Sequence, residues 1–371
     1  MTSANAAIVG AGPAGLGMAR VLRDLTVPDV RVLERDWVGA SFRRWPAGMR
    51  FISPSFPGNA FGLTDLNAIS YDSSPAYALK REHPSGAEYA TYLDQACEVF
   101  GLRVETGIEV TALVPNGEQI DLITNAGTIR ARFVIWAAGQ FQYPELEPFE
   151  GAAHGVHASR VRQWKDHPGD QVVVIGGSES GIDAAIGLAR AGKAFTVLSR
   201  DAPWADDAQS DPSLTLAPVT RDRLPATCKQ LPIDLVGDAD VLGLEKANGS
   251  VHVLAADGRS WTSVAVPVLA TGFAGSTRLI ADWFDWNESG RPILTEQDES
   301  TRLPGLFLVG PEVQHRQHLF CFIYKFRQRF AVVARAIAGR LGMETEALEA
   351  YRANGMYLDD LSCCDAANCF C

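Results

Sequence analysis

The most constraining feature of the chain is a glycine-rich stretch near its N-terminus, AAIVGAGPAGLGMARVL, in which Gly10, Gly12 and Gly15 form the pattern GxGxxG. Residues 6–9 predict a buried strand before the glycines, and the apolar periodicity after them predicts a helix. The next strand, VRVLE, ends in Glu34, 19 residues after Gly15. Such glycines permit a tight turn, close approach of the backbone to a diphosphate, and close helix–strand packing. The segment therefore predicts a dinucleotide site, with phosphates at the helix N-terminus and a ribose hydroxyl at Glu34.

A second unit of the same kind lies at 171–200, QVVVIGGSESGIDAAIGLARAGKAFTVLSR. Its pattern is Gly176, then Ser178 in place of the second glycine, then Gly181. The following strand ends in Ser199 and Arg200 instead of an acid. A cation at this position suits a 2′-phosphate, which favours NADP(H) over NAD(H). The alternative is that Arg200 is a solvated surface residue.

Two dinucleotide units in one chain indicate FAD in the first and a nicotinamide cofactor in the second. The apolar stretches 133–144 and 266–273 end in small residues and glycine, where the chain would cross between domains. A third stretch, 301–312, ends near Gly310 and would return the chain beneath the flavin. The predicted fold class is α/β, with two Rossmann-like, three-layer ββα nucleotide-binding domains and the NADP domain inserted into the FAD domain.

These strands place the domain boundaries. We expect a discontinuous FAD-binding domain at 1–150 and 275–345, an NAD(P)H-binding domain at 151–274, and a C-terminal cysteine-rich tail at 346–371. The polar, proline-bearing stretch 201–235 predicts a long loop or lid on the NADP domain.

Charge and composition exclude several classes of partner. The 371 residues carry a formal net charge of −11, so we expect neither nucleic acid nor an anionic membrane surface as a partner. No apolar run approaches the ~20 residues of a membrane span, and the N-terminus predicts a strand instead of a signal peptide. We therefore expect a cytoplasmic protein with reduced thiols.

Arg43 and Trp45 follow the ribose acid by about ten residues, and we expect them to cover the diphosphate and adenine of FAD, since arginine suits a phosphate. The predicted cofactor-binding residues share the glycine loops, their flanking strand ends and the later glycine turns. They are Gly10, Gly12, Pro13, Ala14, Gly15, Glu34, Arg35, Arg43, Trp45, Gly139, Gly176, Ser178, Glu179, Ser180, Gly181, Ser199, Arg200, Gly272, Gly310 and Glu312.

With these residues in view, the chain resembles flavoproteins that have two dinucleotide-binding domains. The segment 39–55, GASFRRWPAGMRFISPS, resembles both flavin-containing monooxygenases and the bacillithiol-disulfide-reductase family, which is related to thioredoxin reductases. The layout of 290–339 is closer to that reductase family. The resemblance covers roughly residues 1–340 and implies FAD and NADPH as cofactors, without specifying the substrate.

Two departures from those families concern cysteines. Thioredoxin reductases carry a CxxC pair in the nicotinamide domain, and none follows the 171–200 unit here. Bacillithiol-type reductases have a lone cysteine in the first glycine pattern, where this chain has Ala14. The dithiol chemistry of either family therefore has no counterpart at its usual place. The usual acid after the third FAD strand is also displaced, because Pro311 follows Gly310, and we expect Glu312 to reach the ribityl chain instead.

Four of the seven cysteines lie at the end of the chain: Cys363, Cys364, Cys369 and Cys371. Neighbouring cysteines close small, strained disulfide rings that are easily reduced. Four thiolates also suit a soft metal ion. We expect a redox role for this tail, with metal binding, or no role in a disordered terminus, as the alternatives.

A second group is His315, His318 and Cys321, in the stretch HRQHLFCFIYKF just after Gly310. The sequence predicts a helix at about 317–340, with His315 and His318 on one face. His318 would protonate a leaving thiolate or join the tail cysteines around a metal. The alternative is that the histidines contact flavin carbonyls or solvent and that Cys321 packs in the core.

The leading hypothesis is an NADPH-dependent FAD oxidoreductase that passes electrons through the C-terminal cysteines to a disulfide or thiol-bound substrate. The partner would be a small-molecule thiol or disulfide or a small redox protein, and the tail would act in cis or across a homodimer. The alternatives are a flavin-dependent monooxygenase of a small organic substrate and a flavoprotein that binds or reduces a soft metal.

Overall fold

The main sheet of the first unit begins with a strand whose apolar residues are buried. The structure is a computed structural model that describes residues 2–56, 64–205, 211, 213–228 and 233–362. It divides into two compact units. The first contains Met1–Arg43, Ser53–Gln142 and Gly275–Cys371, and the second contains Arg44–Ile52 and Tyr143–Ala274.

The N-terminal part of the first unit holds a six-stranded portion of its sheet and four helices. In chain order these are β1 (Thr2–Val9), α1 (Pro13–Asp24), β2 (Val30–Glu34), α2 (Ala40–Arg43), α3 (Pro75–Leu79), α4 (Gly86–Val99), β3 (Val104–Thr106), β4 (Val110–Asn116), β5 (Gln119–Thr124) and β6 (Gly127–Trp136). The strand order is β3-β2-β1-β6-β5-β4. Strands β3, β2, β1 and β6 are parallel, and β4 and β5 form an antiparallel hairpin beside β6.

The second unit also contains a parallel sheet with helices, together with a smaller, separate antiparallel sheet. Its elements are β7 (Val156–His157), β8 (Gln171–Ile175), α5 (Glu179–Arg190), β9 (Ala194–Leu198), α6 (Pro218–Cys228), β10 (Ile233–Val236), β11 (Val241–Ala247), β12 (Ser250–Ala255), β13 (Ser260–Ser263) and β14 (Val268–Leu269). The parallel sheet has the order β10-β9-β8-β14-β7, and β11-β12-β13 form the antiparallel sheet. The expected long loop at 201–235 is therefore wrong in part, because α6 and the start of β10 lie within it.

The chain then returns to the first unit. The remaining elements are β15 (Asp285–Trp286), β16 (Pro292–Ile293), β17 (Leu306–Leu308), β18 (Gln314–His315), β19 (His318–Leu319), α7 (Ile323–Phe326), α8 (Phe330–Arg340) and α9 (Leu348–Ala353). Strand β17 pairs in parallel with the C-terminal half of β6 and completes a seven-stranded sheet. The predicted α/β class with two nucleotide-binding folds is confirmed.

The predicted helix at 317–340 is wrong over residues 317–322, since helical residues begin with α7 at Ile323. Residues 314–319 instead form the β18–β19 hairpin, in which His315 pairs with His318. Arg316, at the turn, has a φ of +53°, in the left-handed region that a hairpin turn requires and a helix excludes. Helix α8 begins only at Phe330. In the described part of the chain, no helix is both long and apolar enough to cross a bilayer.

Candidate functional site

The first glycine loop has the geometry of a dinucleotide cradle. Gly10 has a φ of +108° and donates its N–H to Leu33 O at 2.8 Å. A Cβ atom built on Gly15 would lie 1.9 Å from Gly10 O, so helix α1 can pack this closely on β1 only without a side chain there. Among the described residues beyond its chain neighbours, no atom lies within 4 Å of a Cβ built on Gly12. The space beside Gly12 is therefore open, and the residues fit the diphosphate predicted for it.

Glu34 holds this loop in shape. The side chain is buried, its Oε2 accepts from Ala11 N at 2.8 Å, and its Oε1 accepts from Asp36 N at 2.9 Å. Each carboxylate oxygen has a further lone pair, so these bonds leave capacity for a ribose hydroxyl. The next residue, Arg35, donates to Gln142 Oε1 at 2.9 Å.

The later glycines of the first unit lie against or near this loop. A Cβ built on Gly310 would lie 3.3 Å from the Cβ of Ala14, which follows Pro13 in the first turn of α1. Gly310 therefore lies next to the start of the dinucleotide helix. Gly139 has a φ of +70° and no protein atom within 4 Å of the position of a Cβ.

Glu312 has partners that the sequence did not indicate. Its Oε2 accepts from the N–H and Oγ of Ser276, at 3.0 and 2.8 Å, and its Oε1 accepts from the N–H and Oγ1 of Thr277, at 3.2 and 2.5 Å. Burial raises the pKa of this carboxyl group. The side chain thus fixes the segment after Gly275, and the expected contact with a ribityl chain stays a prediction.

Arg43 and Trp45 each contact another side chain of the protein. Arg43 forms an ion pair with Asp94 of helix α4. Trp45 belongs to the second unit, and its ring lies 5.0 Å from that of Phe51. Trp45 was expected in the FAD domain at 1–150, whereas it lies in the second compact unit, and the FAD contacts of Arg43 and Trp45 both stay predictions.

The second glycine loop repeats the geometry of the first. Gly176 has a φ of +106° and donates its N–H to Leu198 O at 2.8 Å. A Cβ built on Gly181 would lie 1.8 Å from Gly176 O. Ser178 is exposed and is the N-cap residue of α5, and Ser180 is partly exposed in the first turn of that helix. This loop therefore also leaves its helix N-terminus accessible to a diphosphate.

Glu179, the first residue of α5, connects this helix to α6. Its carboxylate accepts from Ala217 N at 2.5 Å and from Thr220 Oγ1 at 2.7 Å, and burial raises its pKa. Asp183, one turn later, forms an ion pair with Arg223 of α6 at 3.0 Å. Both acids of α5 thus fix α6.

Sequence reasoning missed Gly177 and Trp204 beside this loop. A Cβ built on Gly177 would lie 2.6 Å from both Ser199 Oγ and Trp204 Cζ3. Ser199 is buried, and Arg200 is exposed next to it. The double glycine in VVVIGGSESG was the available signal, because the second glycine is not part of the GxGxxG spacing.

Gly272 follows β14, the last parallel strand of the second unit, by three residues. It has a φ of +88°, and no protein atom lies within 4 Å of the position of a Cβ. Its carbonyl oxygen accepts from Glu145 N at 3.0 Å and is 2.9 Å from His157 Nε2. Burial lowers the pKa of His157, so this imidazole is neutral at pH 7 and donates to the carbonyl.

The two histidines after Gly310 lie on the β18–β19 hairpin instead of a helix face. His315 Nε2 is 2.5 Å from Asp298 Oδ1. His318 is buried, and its ring packs edge-on against Phe320 at 4.7 Å. Cys321 is half-buried after the hairpin. No local pattern indicated Asp298, because the contact joins residues 17 positions apart in an irregular stretch.

The predicted catalytic cysteines, Cys363, Cys364, Cys369 and Cys371, lie outside the described residues. Within the described ranges, no group of three or more histidine, cysteine or acidic side chains is arranged to hold a metal ion. The redox and metal hypotheses for the tail therefore both stay open.

Cys97 of α4 is expected to be chemically inert. Burial, together with the carboxylates of Asp94 and Glu98, raises the pKa of its thiol to about 12. At pH 8 only about one Cys97 thiol in ten thousand is then a thiolate, the form that reacts. Iodoacetamide at pH 8 should leave Cys97 unmodified in the native protein and label it fully in urea, as peptide mass spectrometry would show. Equal labelling in both conditions would contradict this environment.

The chain is similar in sequence and in fold to known proteins. The profile of the family described as pyridine nucleotide-disulphide oxidoreductase matches residues 7–310. The chain is 26% identical over 345 residues to ferredoxin–NADP reductase of Granulibacter bethesdensis, a match that covers 89% of this chain and 87% of that protein. An uncharacterized CzcO-like oxidoreductase of Geobacillus kaustophilus is 27% identical over 188 residues, or 49% of this chain and 50% of that protein.

Among solved structures, bacillithiol disulfide reductase Bdr (YpdA) from Staphylococcus aureus superposes with a TM-score of 0.73 at 20% identity, covering 92% of this chain and 99% of that chain. This similarity shows a shared fold and confirms the resemblance predicted from the sequence. The predicted oxidoreductase class and the predicted cofactors, FAD and NADPH, are confirmed as well. Both glycine loops fall within the matched residues 7–310, and the chain belongs to the pyridine nucleotide-disulphide oxidoreductase family.

Proposed function

We propose that this protein is an NADPH-dependent FAD oxidoreductase that reduces a disulfide or thiol-ligated substrate through its C-terminal cysteines. Bound FAD would supply two-electron transfer, with NADPH as the source of the electrons. A disulfide between tail cysteines would take up these two electrons and two protons and become two thiols. Exchange of these thiols with a substrate disulfide would restore the tail disulfide, so that NADPH, one proton and the substrate disulfide give NADP⁺ and two thiols.

Within this function, the first glycine loop would hold FAD. Gly12 and the first turn of α1 would face the diphosphate, and Glu34 would face the ribose. The support is the open space beside Gly12 and the fixed position of Glu34 between Ala11 N and Asp36 N.

The second glycine loop would hold NADPH. The N-terminus of α5 at Ser178 would face the diphosphate, and the exposed Arg200 would face the 2′-phosphate. Gly177 would allow Ser199 and Trp204 to pack against the loop, where a side chain at 177 would collide with both.

One observation supports the proposed role of the tail. The described chain ends at Ser362, directly before Cys363, and this end is attached to the unit that contains the first glycine loop. Leu361 O accepts from Arg316 Nη1 at 3.4 Å, and Arg316 lies on the hairpin that follows Gly310. Because Gly310 lies next to Ala14 at the start of α1, the cysteines follow a segment that is bonded to the hairpin beside the proposed FAD loop.

The test is replacement of Cys363 and Cys364 by serine in the full-length holoenzyme. We expect NADPH-dependent reduction of a disulfide such as DTNB to fall at least about a hundredfold, because loss of the exchanging thiols removes nucleophilic catalysis. Reduction of ferricyanide by NADPH should persist, since it requires FAD and NADPH alone. The matched control is Cys97→Ser, which should leave both activities unchanged. Disulfide reduction at the parental rate in the double variant would refute the role of these cysteines.

The alternatives predict different outcomes of two simple measurements. Titration of thiols before and after addition of NADPH should show two thiols gained per tail if the tail is a disulfide couple. Tightly held zinc or copper in elemental analysis, with no gain of thiols, would instead support a soft-metal site. Oxygen uptake that depends stoichiometrically on an organic substrate would support a monooxygenase.

A further inference from the structure

A fully buried ion pair lies beside the end of the described chain. Asp298 and Arg329 both have side chains that are 0% exposed. Arg329 Nε is 3.0 Å from Asp298 Oδ2, and its Nη2 is 2.9 Å from Asp298 Oδ1. Burial of two charges costs several kcal/mol of desolvation free energy, which only precise hydrogen bonding offsets. Such a pair stabilises a fold weakly and is best explained by the geometry that it specifies.

Arg329 uses its remaining donors to join two further segments. Its Nη2 also donates to Glu296 O at 2.5 Å, and its Nη1 donates to Leu358 O at 2.5 Å. One planar guanidinium therefore fixes the loop at 296–298, the start of α8 and the C-terminal segment in a single geometry. A lysine could not do this, because its ammonium lacks the fixed fork of five donors.

The C-terminal segment, residues 356–361, is attached along its length. Leu358 N donates to Gln328 O at 3.0 Å, while Leu358 O accepts from Arg329. Met356 is 0% exposed, Tyr357 is 8% exposed and Leu361 is 9% exposed. Both the N–H and the C=O of Leu358 form hydrogen bonds, and buried side chains lie before and after it in the chain. The segment is therefore packed into the first unit up to the residue before Ser362.

We propose that Arg329 is a positioning residue, which together with the bond from Leu358 N to Gln328 O holds the segment 356–361, so that the cysteines begin at a fixed point on the unit that binds FAD. This inference rests on the proposed function for the purpose of the attachment, but the attachment itself is independent of it. A tether that starts at a fixed point raises the effective concentration of the tail thiols at their electron donor over that of a freely moving terminus. The physical effect of Arg329 is therefore on the encounter of tail and donor, and not on NADPH or FAD binding.

The test replaces Leu358 by proline in the holoenzyme. Proline removes the N–H that bonds Gln328 O, and it leaves the buried Asp298–Arg329 pair intact, so the first unit should still fold. The matched control is Leu358→Ala, which keeps both backbone bonds and loses only the side chain. For both variants, hydrogen exchange of a peptide covering 356–361 and NADPH-dependent reduction of DTNB and of ferricyanide are measured.

We expect Leu358→Pro to raise the exchange rate of the remaining 356–361 amides at least about tenfold, to lower DTNB reduction at least about tenfold, and to leave ferricyanide reduction within about twofold of the parent. Leu358→Ala should resemble the parent in all three. Rapid exchange of these amides in the parent would overturn the attachment. Release of the segment without loss of DTNB reduction would overturn its positioning role.

A chain that stops after Ser362 separates this inference from the proposed function. Parental DTNB reduction by that chain would refute electron transfer through the cysteines. Protected 356–361 amides in the same chain would still support the attachment of this segment to the first unit, and unprotected amides there would overturn it.

Discussion

The substitution Gly12→Ala should leave the apoprotein as stable as the parent chain and lower its affinity for FAD about a hundredfold, which is about 2.7 kcal/mol. Gly12 has a φ of −85° and a ψ of −173°, a conformation that alanine adopts without strain. The added methyl group would meet no protein atom within 4 Å. It would instead occupy the space through which a diphosphate approaches the backbone.

The measurement for Gly12→Ala is fluorescence titration of the apoprotein with FAD, together with the melting temperature of the apoprotein. The contrasting variant is Gly15→Ala, whose methyl group would lie 1.9 Å from Gly10 O. That variant should destabilise the apoprotein itself, because helix α1 must move off β1. Parental FAD affinity in Gly12→Ala would contradict the placement of the diphosphate beside this residue.

The substitution Asp298→Asn should destabilise the first unit by about 3 kcal/mol or more, since breaking a buried ion pair leaves an uncompensated charge. Asp298 has a φ of +61°, and asparagine tolerates this left-handed conformation, so the backbone is not the cause of the loss. The amide retains the shape of the carboxylate but cannot neutralise the buried Arg329. It also loses the carboxylate contact with His315.

Denaturant unfolding of the holoprotein, followed by flavin fluorescence, measures this effect. The matched control is Asp359→Asn, which removes one partner of another two-point ion pair, with Arg352 at 3.0 and 2.8 Å. Those side chains are 34% and 42% exposed, so the control should cost less than about 1 kcal/mol. Equal losses in the two variants would show that burial of the Asp298–Arg329 pair has no special cost.

Both glycine loops were predictable because their determinants are local. Within the first loop, Gly10 and Gly15 are five residues apart, and the Cβ that Gly15 lacks would lie 1.9 Å from Gly10 O. Residues that are close in the sequence here are therefore also close in the structure. The same holds for Gly176 and Gly181 of the second loop.

The surroundings of the histidines were not predictable for the opposite reason. The stretch at 315–330 is apolar enough to suggest a helix, but its N-terminal part folds as a hairpin that pairs His315 with His318 and packs on Phe320. This outcome depends on Asp298, 17 residues away, which reaches His315 from an irregular loop. A contact between residues so far apart leaves no signal in the local sequence pattern.

The amino-acid sequence alone was sufficient to predict the α/β class, the two dinucleotide loops and the choice of FAD and NADPH. Glycine spacing and strand–helix alternation made this possible, because both act over short stretches of backbone. The partners of Glu312, the membership of Trp45 in the second unit and the attachment of 356–361 by Arg329 emerged only in three dimensions. Each depends on side chains that meet across tens or hundreds of residues, and burial there selects hydrogen-bond partners by proximity in space.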